Sequence, residues 1–347
     1  MKKKKKIGDV CEIKFGKRIK RNEVEAESEY TGIKYPCYGG GDISFYMKEF
    51  NREGKNIIIS RFGVSEKCVR IINGKFWLND SGFTVHSNDE KKILTDYLGY
   101  YCYIVLQSKI FDISMGACQK NLQVDEFKNI EIPIPSLAIQ ETIVEQLDVL
   151  NSNIETCKKN VEEIRKIIKY YIDCQIKNEK AEEKTLGQIS KIKYGGSKIS
   201  KDEGEYPLYA GGVDFIKCIN EYNVDKNTII ISRSGSAGYV NITFKKSFIA
   251  NYGYYLDLQS EINAKYLYYY LKTYETVIRS LAKGTGQPNL NREDLKLVKV
   301  KIPSKDKQKK IVEYCDNLSN IITNIEQQIK NDKDLMKQIM NSYLNQK

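Results

Sequence analysis

Residues 132–171 read IPIPSLAIQETIVEQLDVLNSNIETCKKNVEEIRKIIKYY. Within them Ile143, Leu147, Leu150, Ile154, Cys157, Val161, Ile164, Ile168 and Tyr171 recur at alternating spacings of four and three residues. That is the a/d seam of a coiled coil. The prolines before it hold their neighbours extended, so the helix is expected to start downstream of Pro135. The pattern returns after Ile302-Pro303 as Ile311, Cys315, Leu318, Ile322, Ile325, Ile329, Asp332, Met336 and Ile339, with Asp332 the one polar member. At about 1.5 Å per residue each helix is expected to run roughly 55 Å. Neither buries its stripe alone. Each is the obvious partner of the other, the alternative being two separate homotypic coiled coils.

Working outward, the segment before each helix is also duplicated. Ile7-Gly8…Ile13-Lys14-Phe15-Gly16 returns as Leu186-Gly187…Ile192-Lys193-Tyr194-Gly195, and Tyr35 to Gly41 (YPCYGGG) as Tyr206 to Gly212 (YPLYAGG). Ile57 to Gly63 (IIISRFG) returns as Ile229 to Gly235 (IIISRSG), and Tyr97-Leu98 as Tyr266-Leu267. Gly116-x-x-Gln119-x-Asn121-Leu122 returns as Gly284-x-x-Gln287-x-Asn289-Leu290, and Pro135…Gln140-x-x-Ile143 as Pro303…Gln308-x-x-Ile311. The offset falls from 179 at Ile7 to 168 at Ile134, mostly before Tyr35, where copy one has the longer segment. Two copies make a duplicated domain pair rather than a solenoid. Each is expected to be rich in short strands, with a tyrosine-rich helical stretch near 93–108 and 263–280. The triple isoleucines are expected to be buried strands that stop at a Ser-Arg-x-Gly loop.

The 347 residues carry 56 Lys+Arg against 45 Asp+Glu, a net charge of +11, which favours a polyanionic partner such as nucleic acid. One histidine, His86, rules out a His-rich metal site or a pair of histidine acid–bases. It is expected to be a surface or packed side chain. Nine scattered cysteines contain no C-x-x-C, so neither a zinc ribbon nor a disulfide framework is expected. Reduced thiols in a cytosolic compartment are the expectation. Lys2 to Lys6 precede no apolar run, so they are not read as a secretory signal but as a solvated, frayed end. Tyr97 to Leu106, the longest apolar-aromatic stretch, is too short to span a bilayer.

The sequence offers little catalytic chemistry. It has no P-loop and no Gly-x-Gly-x-x-Gly, and it lacks the Asn/Asp-Pro-Pro-Tyr/Phe of amino-methyltransferases. The glycines of Arg233 to Gly238 are explained by a bend needing positive φ as well as by a phosphate cradle. Glu126-Phe127-Lys128 has a nuclease-like spacing but no upstream Pro-Asp and no repeat in copy two.

Two related globular segments, each ending in proline and a long heptad helix, resemble the specificity subunit of type I restriction–modification systems. The residues carrying the likeness are Ile132 to Val144 with Leu147-Asp148, and Val300 to Val312. Gly284-Thr-Gly-Gln-Pro288-Asn289-Leu290 through Leu295 adds to it. Copy one departs there, with Lys120 in place of the proline. The resemblance implies an α+β fold: two β-rich target-recognition domains in pseudo-twofold relation, separated by two long antiparallel coiled-coil helices. The expected boundaries are 1–135 for domain 1, 136–180 for helix 1, 181–303 for domain 2 and 304–347 for helix 2. It further implies a subunit without catalysis of its own, cytoplasmic and not membrane-bound. Each domain would read half of a bipartite site in double-stranded DNA while the helices set the gap. Methyltransferase subunits, two per chain, would bring S-adenosylmethionine, and a restriction subunit can join them. The alternatives are a coiled-coil scaffold and a detached specificity module of another restriction–methylation enzyme.

Arg61 and Arg233 follow matching strands and are the first candidates for DNA contact. Because both copies keep them, phosphate contact or a structural role in the loop fits better than base choice. Tyr38 and Tyr209, beside glycines, and Gln119, Asn121, Gln287 and Asn289 are further loop candidates, the tyrosines equally able to be core. Asp42, Ser44, Lys217 and Asn220 differ between copies and suit sequence choice better.

Overall fold

The computed structural model describes residues 3–19, 32–41, 43–65, 67–116, 120–177, 179, 181–197, 199–200, 202–284 and 288–345. Two compact units divide the chain: Met1–Thr156 with Gln328–Lys347, and Cys157–Gln327. Each unit takes in part of both long helices.

In unit 1 the order is β1 (Lys3–Lys6), α1 (Ile7–Val10), β2 (Cys11–Phe15), β3 (Tyr35–Tyr38), β4 (Ile43–Met47), β5 (Lys55–Ser60), β6 (Val69–Asn73), β7 (Trp77–Leu78) and β8 (Gly82–Ser87). Then come α2 (Thr95–Tyr101), a π turn (Cys102–Leu106), α3 (Gln107–Ile113), α4 (Val124–Lys128), β9 (Glu131–Ile134) and the long helix α5 (Leu137–Lys177). The strands form an antiparallel sheet β2-β8-β5-β6, a smaller sheet β4-β3-β7 and a ribbon β1-β9. The central strand explains why the sequence shows three isoleucines in a row. Ile57 and Ile59 point into the main core beside Tyr97 and Leu98, while Ile58 points the other way, onto Phe76 and Leu78. Both faces of β5 are covered, so alternation disappears.

Unit 2 repeats the plan with β10 (Glu182–Thr185), α6 (Leu186–Ile189), β11 (Ser190–Tyr194), β12 (Glu203–Tyr209), β13 (Lys217–Ile219), β14 (Ile229–Ser232), β15 (Val240–Ile242), β16 (Phe248–Ile249) and β17 (Gly253–Leu258). These are followed by α7 (Ala264–Thr273), α8 (Glu275–Ser280), α9 (Arg292–Lys296), β18 (Lys299–Ile302) and the long helix α10 (Lys305–Asn345). Its sheets are β11-β17-β14-β15, β13-β12-β16 and the ribbon β10-β18. Ile229 and Ile231 face the main core, and Ile230 faces Tyr209, Val224 and Ile249.

Three findings refine the sequence reading. The lysine run is not a frayed end: Lys3–Lys6 pair antiparallel with Glu131–Ile134, as Glu182–Thr185 pair with Lys299–Ile302. Second, the offset between copies drops from 169 at Tyr97 to 168 at Gly116, and copy one has a π turn in that interval. A π turn is how a helix absorbs one extra residue without breaking. Third, α5 and α10 pair with each other, antiparallel. In unit 1 Ile143 and Leu147 share a core with Met336 and Met340, and Gln146 Nε2 donates to the Tyr343 hydroxyl at 3.2 Å. In unit 2 Tyr171 stacks on Tyr314 with ring centroids 3.9 Å apart, and Lys307 Nζ donates to Gln175 at 2.8 Å.

The helices are tied to their units by the residues that made the repeat visible. Gln140, fully buried, donates from Nε2 to Lys92 O (3.0 Å) and Pro135 O (2.9 Å), while its Oε1 accepts from Leu94 N at 2.8 Å. Gln308 does the same with Pro303 O (3.0 Å) and Asn263 N (2.8 Å). The Tyr100 hydroxyl donates to Asp148 at 2.5 Å, and Tyr269 to Asp316 at 2.7 Å. Tyr97 and Tyr266 donate to Pro133 O and Lys301 O. Burial pushes these four phenols above their ordinary range. Each buries an aromatic body and keeps its hydroxyl partnered.

Candidate nucleic-acid interface

Three loops meet in each unit at the ends of the central strands. In unit 1 the loop after β5 begins at Arg61, whose N–H donates to Ser81 O (2.8 Å) and whose carbonyl accepts from Leu122 N (2.9 Å). Phe62 bridges to Asn121, and Asn121 pairs antiparallel with Met115, its N–H donating to the Met115 carbonyl at 2.7 Å. From the other side Ser60 Oγ donates to Gly40 O at 3.0 Å. A Cβ on Gly40 would lie 2.1 Å from Phe62 O, so glycine is needed for these two backbones to touch.

Unit 2 rebuilds the device. Arg233 N–H donates to Tyr252 O (2.8 Å) and its carbonyl accepts from Leu290 N (2.8 Å). Ser234 bridges to Asn289, Asn289 pairs with Lys283, and Ser236 N–H donates to Gly211 O at 2.9 Å. Gly235 and Gly238 have φ of 77° and 82°, which supports the turn reading of the glycine-rich run. The repeated Gly, Ser-Arg and Asn-Leu motifs are therefore one structure made twice.

Both arginines are half-buried and lie on aromatic rings. The Arg61 guanidinium is 5.3 Å from the Phe15 ring centroid and 4.6 Å from that of Phe62. Arg233 is 5.8 Å from the Tyr194 ring and donates to Asn251 O at 3.3 Å. Among the described residues neither makes an ion pair with a carboxylate, so both keep charge available for an anion at the loop surface. Tyr194 also lies 5.0 Å from the Arg292 guanidinium. The residue at that place in copy one is Val124, so the second arginine belongs to unit 2 alone.

The remaining candidates separate. Tyr209 is only 5% exposed, packs with Val224, Ile230 and Ile249, and its hydroxyl is pushed up to about 12 by burial. It is a core residue, not a loop contact, because its place in β12 turns it inward. Tyr38 is half-buried, edge-on to Phe76 with centroids 5.5 Å apart and with the Arg70 guanidinium 6.0 Å from its ring. It supports the loops from beneath. Asn121 is half-buried and Asn289 exposed, bridged to Met115 and Lys283 respectively; Gln119, Gln287 and Asp42 lie outside the described residues. Ser44, Lys217 and Asn220 are exposed. Sequence reading missed Phe15 and Tyr194, though both precede the repeated glycine, and it missed Arg292.

Other sequence candidates resolve as structure. Phe127, between Glu126 and Lys128, is a fully buried anchor of α4. His86 is half-buried on β8, and burial followed by the charges of Lys14 and Arg52 lowers its pKa. Among the described residues no group of three or more His, Cys, Asp or Glu is placed to hold a metal, and no helix is long and apolar enough to cross a membrane.

The sheet-and-helix plan, present twice with a shared loop cluster, agrees with what comparison finds. The family model for the type I restriction modification DNA specificity domain matches residues 1–166 and again 178–332. A type I specificity subunit of Mycoplasma genitalium is 26% identical over 321 residues, covering 86% of this chain and 82% of the relative. One from Mycoplasma pneumoniae is 26% identical over 367 residues, covering 97% and 95%. The crystal structure of the Mycoplasma genitalium type I restriction-modification S subunit shares the fold at a TM-score of 0.54, with 21% identity over 98% of this chain and 95% of that one. The chain belongs to the type I restriction-modification DNA specificity family.

Proposed function

We propose that this chain is the sequence-reading subunit of a type I restriction–modification complex, each unit reading half of a bipartite duplex site and the paired helices setting the gap. The observation that carries this is the doubled loop cluster. One chain builds the same glycine–arginine–asparagine scaffold twice, around loop residues that differ between copies. A shared scaffold with divergent decoration suits two different half-sites. Arg61 and Arg233, being shared, hold phosphate and fix register, while the divergent neighbours choose bases.

On this reading the chain supplies no catalysis. Methylation is done by partner methyltransferase subunits, two per chain, which bind S-adenosylmethionine, and a restriction subunit can join the assembly. The compartment is the cytoplasm. The test is selection of bound duplexes from a random library by the full chain together with a type I methyltransferase subunit. Two short half-sites separated by a constant unspecified gap are expected. Tight binding without a motif, lost steeply as salt rises, would leave charge alone at work and favour a coiled-coil scaffold.

A further inference from the structure

The two units differ at the hairpin beside the arginine loop. In unit 1 the last paired residues of β3 and β4 are Tyr38 and Ile43; in unit 2 those of β12 and β13 are Leu208 and Lys217, leaving a longer connection. Its tip exposes Val213 (53%), Phe215 (39%) and Ile216 (64%), and Phe244, in the turn between β15 and β16, is 55% exposed. The Phe215 and Phe244 rings are 6.3 Å apart, so the four side chains come from two loops that meet.

This tip is held in shape. Asn241 Nδ2 donates to Val213 O at 3.2 Å, and Phe215 N–H donates to the Asp214 carboxylate at 2.8 Å. Ile216 N–H donates to Leu208 O at 2.9 Å, and Gly211 O accepts from Ser236 in the arginine loop at 2.9 Å. Apolar side chains from two loops whose backbones are hydrogen-bonded in place form one exposed patch, the kind of surface that suits a partner. The rim says which. Lys217, Lys245 and Lys246 are exposed next to these residues in sequence, with Asp214 among them; Lys246 also donates to the Tyr222 hydroxyl at 2.9 Å and lies in the field of Asp225, so the rim is cationic on balance. A cationic rim around an apolar tip complements the major groove, where phosphates line the edges and the thymine 5-methyl is the apolar feature of the floor.

We propose that Val213, Phe215, Ile216 and Phe244 contact thymine methyl groups in the half-site read by unit 2. This rests on the DNA-reading function and goes beyond it by naming the base feature and the residues.

The experiment uses the full chain with a type I methyltransferase subunit and its selected duplex, replacing each thymidine of one half-site at a time with 2′-deoxyuridine. That deletes only the methyl. A loss of roughly three- to fivefold in affinity per contacted methyl is expected, from about 0.8 kcal/mol for a buried carbon group. The variants Ile216→Ser and Phe244→Ser, at exposed positions that leave the core intact, should abolish that sensitivity in one half-site and leave the other unchanged. The assignment is overturned if uridine is tolerated everywhere, if the affected half-site holds no thymine, or if the variants keep full discrimination. It is also overturned if the variants reduce DNA bending without methyl dependence, which would mark a wedge, or change only self-association, which would mark a second copy as the occupant. Failure to select any half-sites would instead refute the DNA reading itself, and this inference with it.

Discussion

Gln140→Ala is expected to destabilise unit 1 by about 3 kcal/mol. The side chain is fully buried and joins three backbone groups: the carbonyls of Lys92 and Pro135, and the N–H of Leu94. Truncation strands all three, at roughly 1–3 kcal/mol for each buried group left unpaired, reduced where the new cavity admits water. Gln308→Ala removes a similar set in unit 2, but the contact to Glu261 O is 3.4 Å, so its loss is expected to be smaller, about 2 kcal/mol. Gln140→Glu keeps the acceptor for Leu94 and loses both donations, so it should not rescue. For a unit of this size the alanine change corresponds to a midpoint fall of roughly 6–12 °C. The assay is thermal or denaturant unfolding of the full chain, with hydrogen exchange at the Leu94 amide showing where the loss lies. A Gln140→Ala midpoint within about 1 °C of the parent would refute the argument that this glutamine anchors α5 to its unit.

Other expectations follow from the same geometry. Gly40→Ala places a Cβ 2.1 Å from Phe62 O and should cost about 1–3 kcal/mol, whereas Gly41→Ala meets nothing within 4 Å and should be nearly neutral in the same melt. Arg61→Ala and Arg233→Ala should each lower the slope of log affinity against log salt by about 1, equally for all DNA sequences; a relaxed motif with an unchanged slope would show base contact instead. His86 has a folded pKa below its ordinary value of 6.5, chiefly through burial. The unfolded chain therefore takes up the proton first, so stability should be full above pH 6.5 and fall as pH drops below it towards the folded pKa. Being the sole histidine, His86 gives that window a clean readout: in His86→Gln the decline just below pH 6.5 should flatten, and an unaltered decline would assign it elsewhere.

How much was legible depends on how locally each feature is determined. The heptads of α5 and α10 were plain because one stripe repeats over many turns. Even so, at the end of α5 the buried residues are Ile172 and Ile176, with Tyr171 only half-buried. A helix of 3.6 residues per turn drifts against a strict 3.5 repeat, and the seam moves with it. The lysine strand was invisible because nothing in Lys3–Lys6 favours a strand; its pairing with β9 decides the matter. Tyr38 and Tyr209 were open between loop and core, since a tyrosine beside glycines carries no sign of which way its strand faces. The Gly40–Phe62 and Gly211–Ser236 approaches could be suspected from the repeats, but only folding shows which loops they join. The apolar tip of Val213 to Ile216 escaped notice because exposed and buried apolar residues look alike in a sequence.

The central claim is that two separate readings are joined by a spacer, and changing the spacer tests it most directly. Seven residues added as one heptad to both α5 and α10 lengthen each by about 10 Å, near three base pairs of duplex. Motifs selected from random DNA by the parent and the lengthened chain, each with a type I methyltransferase subunit added, should show the same two half-sites with the gap longer by about that amount. Half-sites that change, or a gap that does not, would contradict the account.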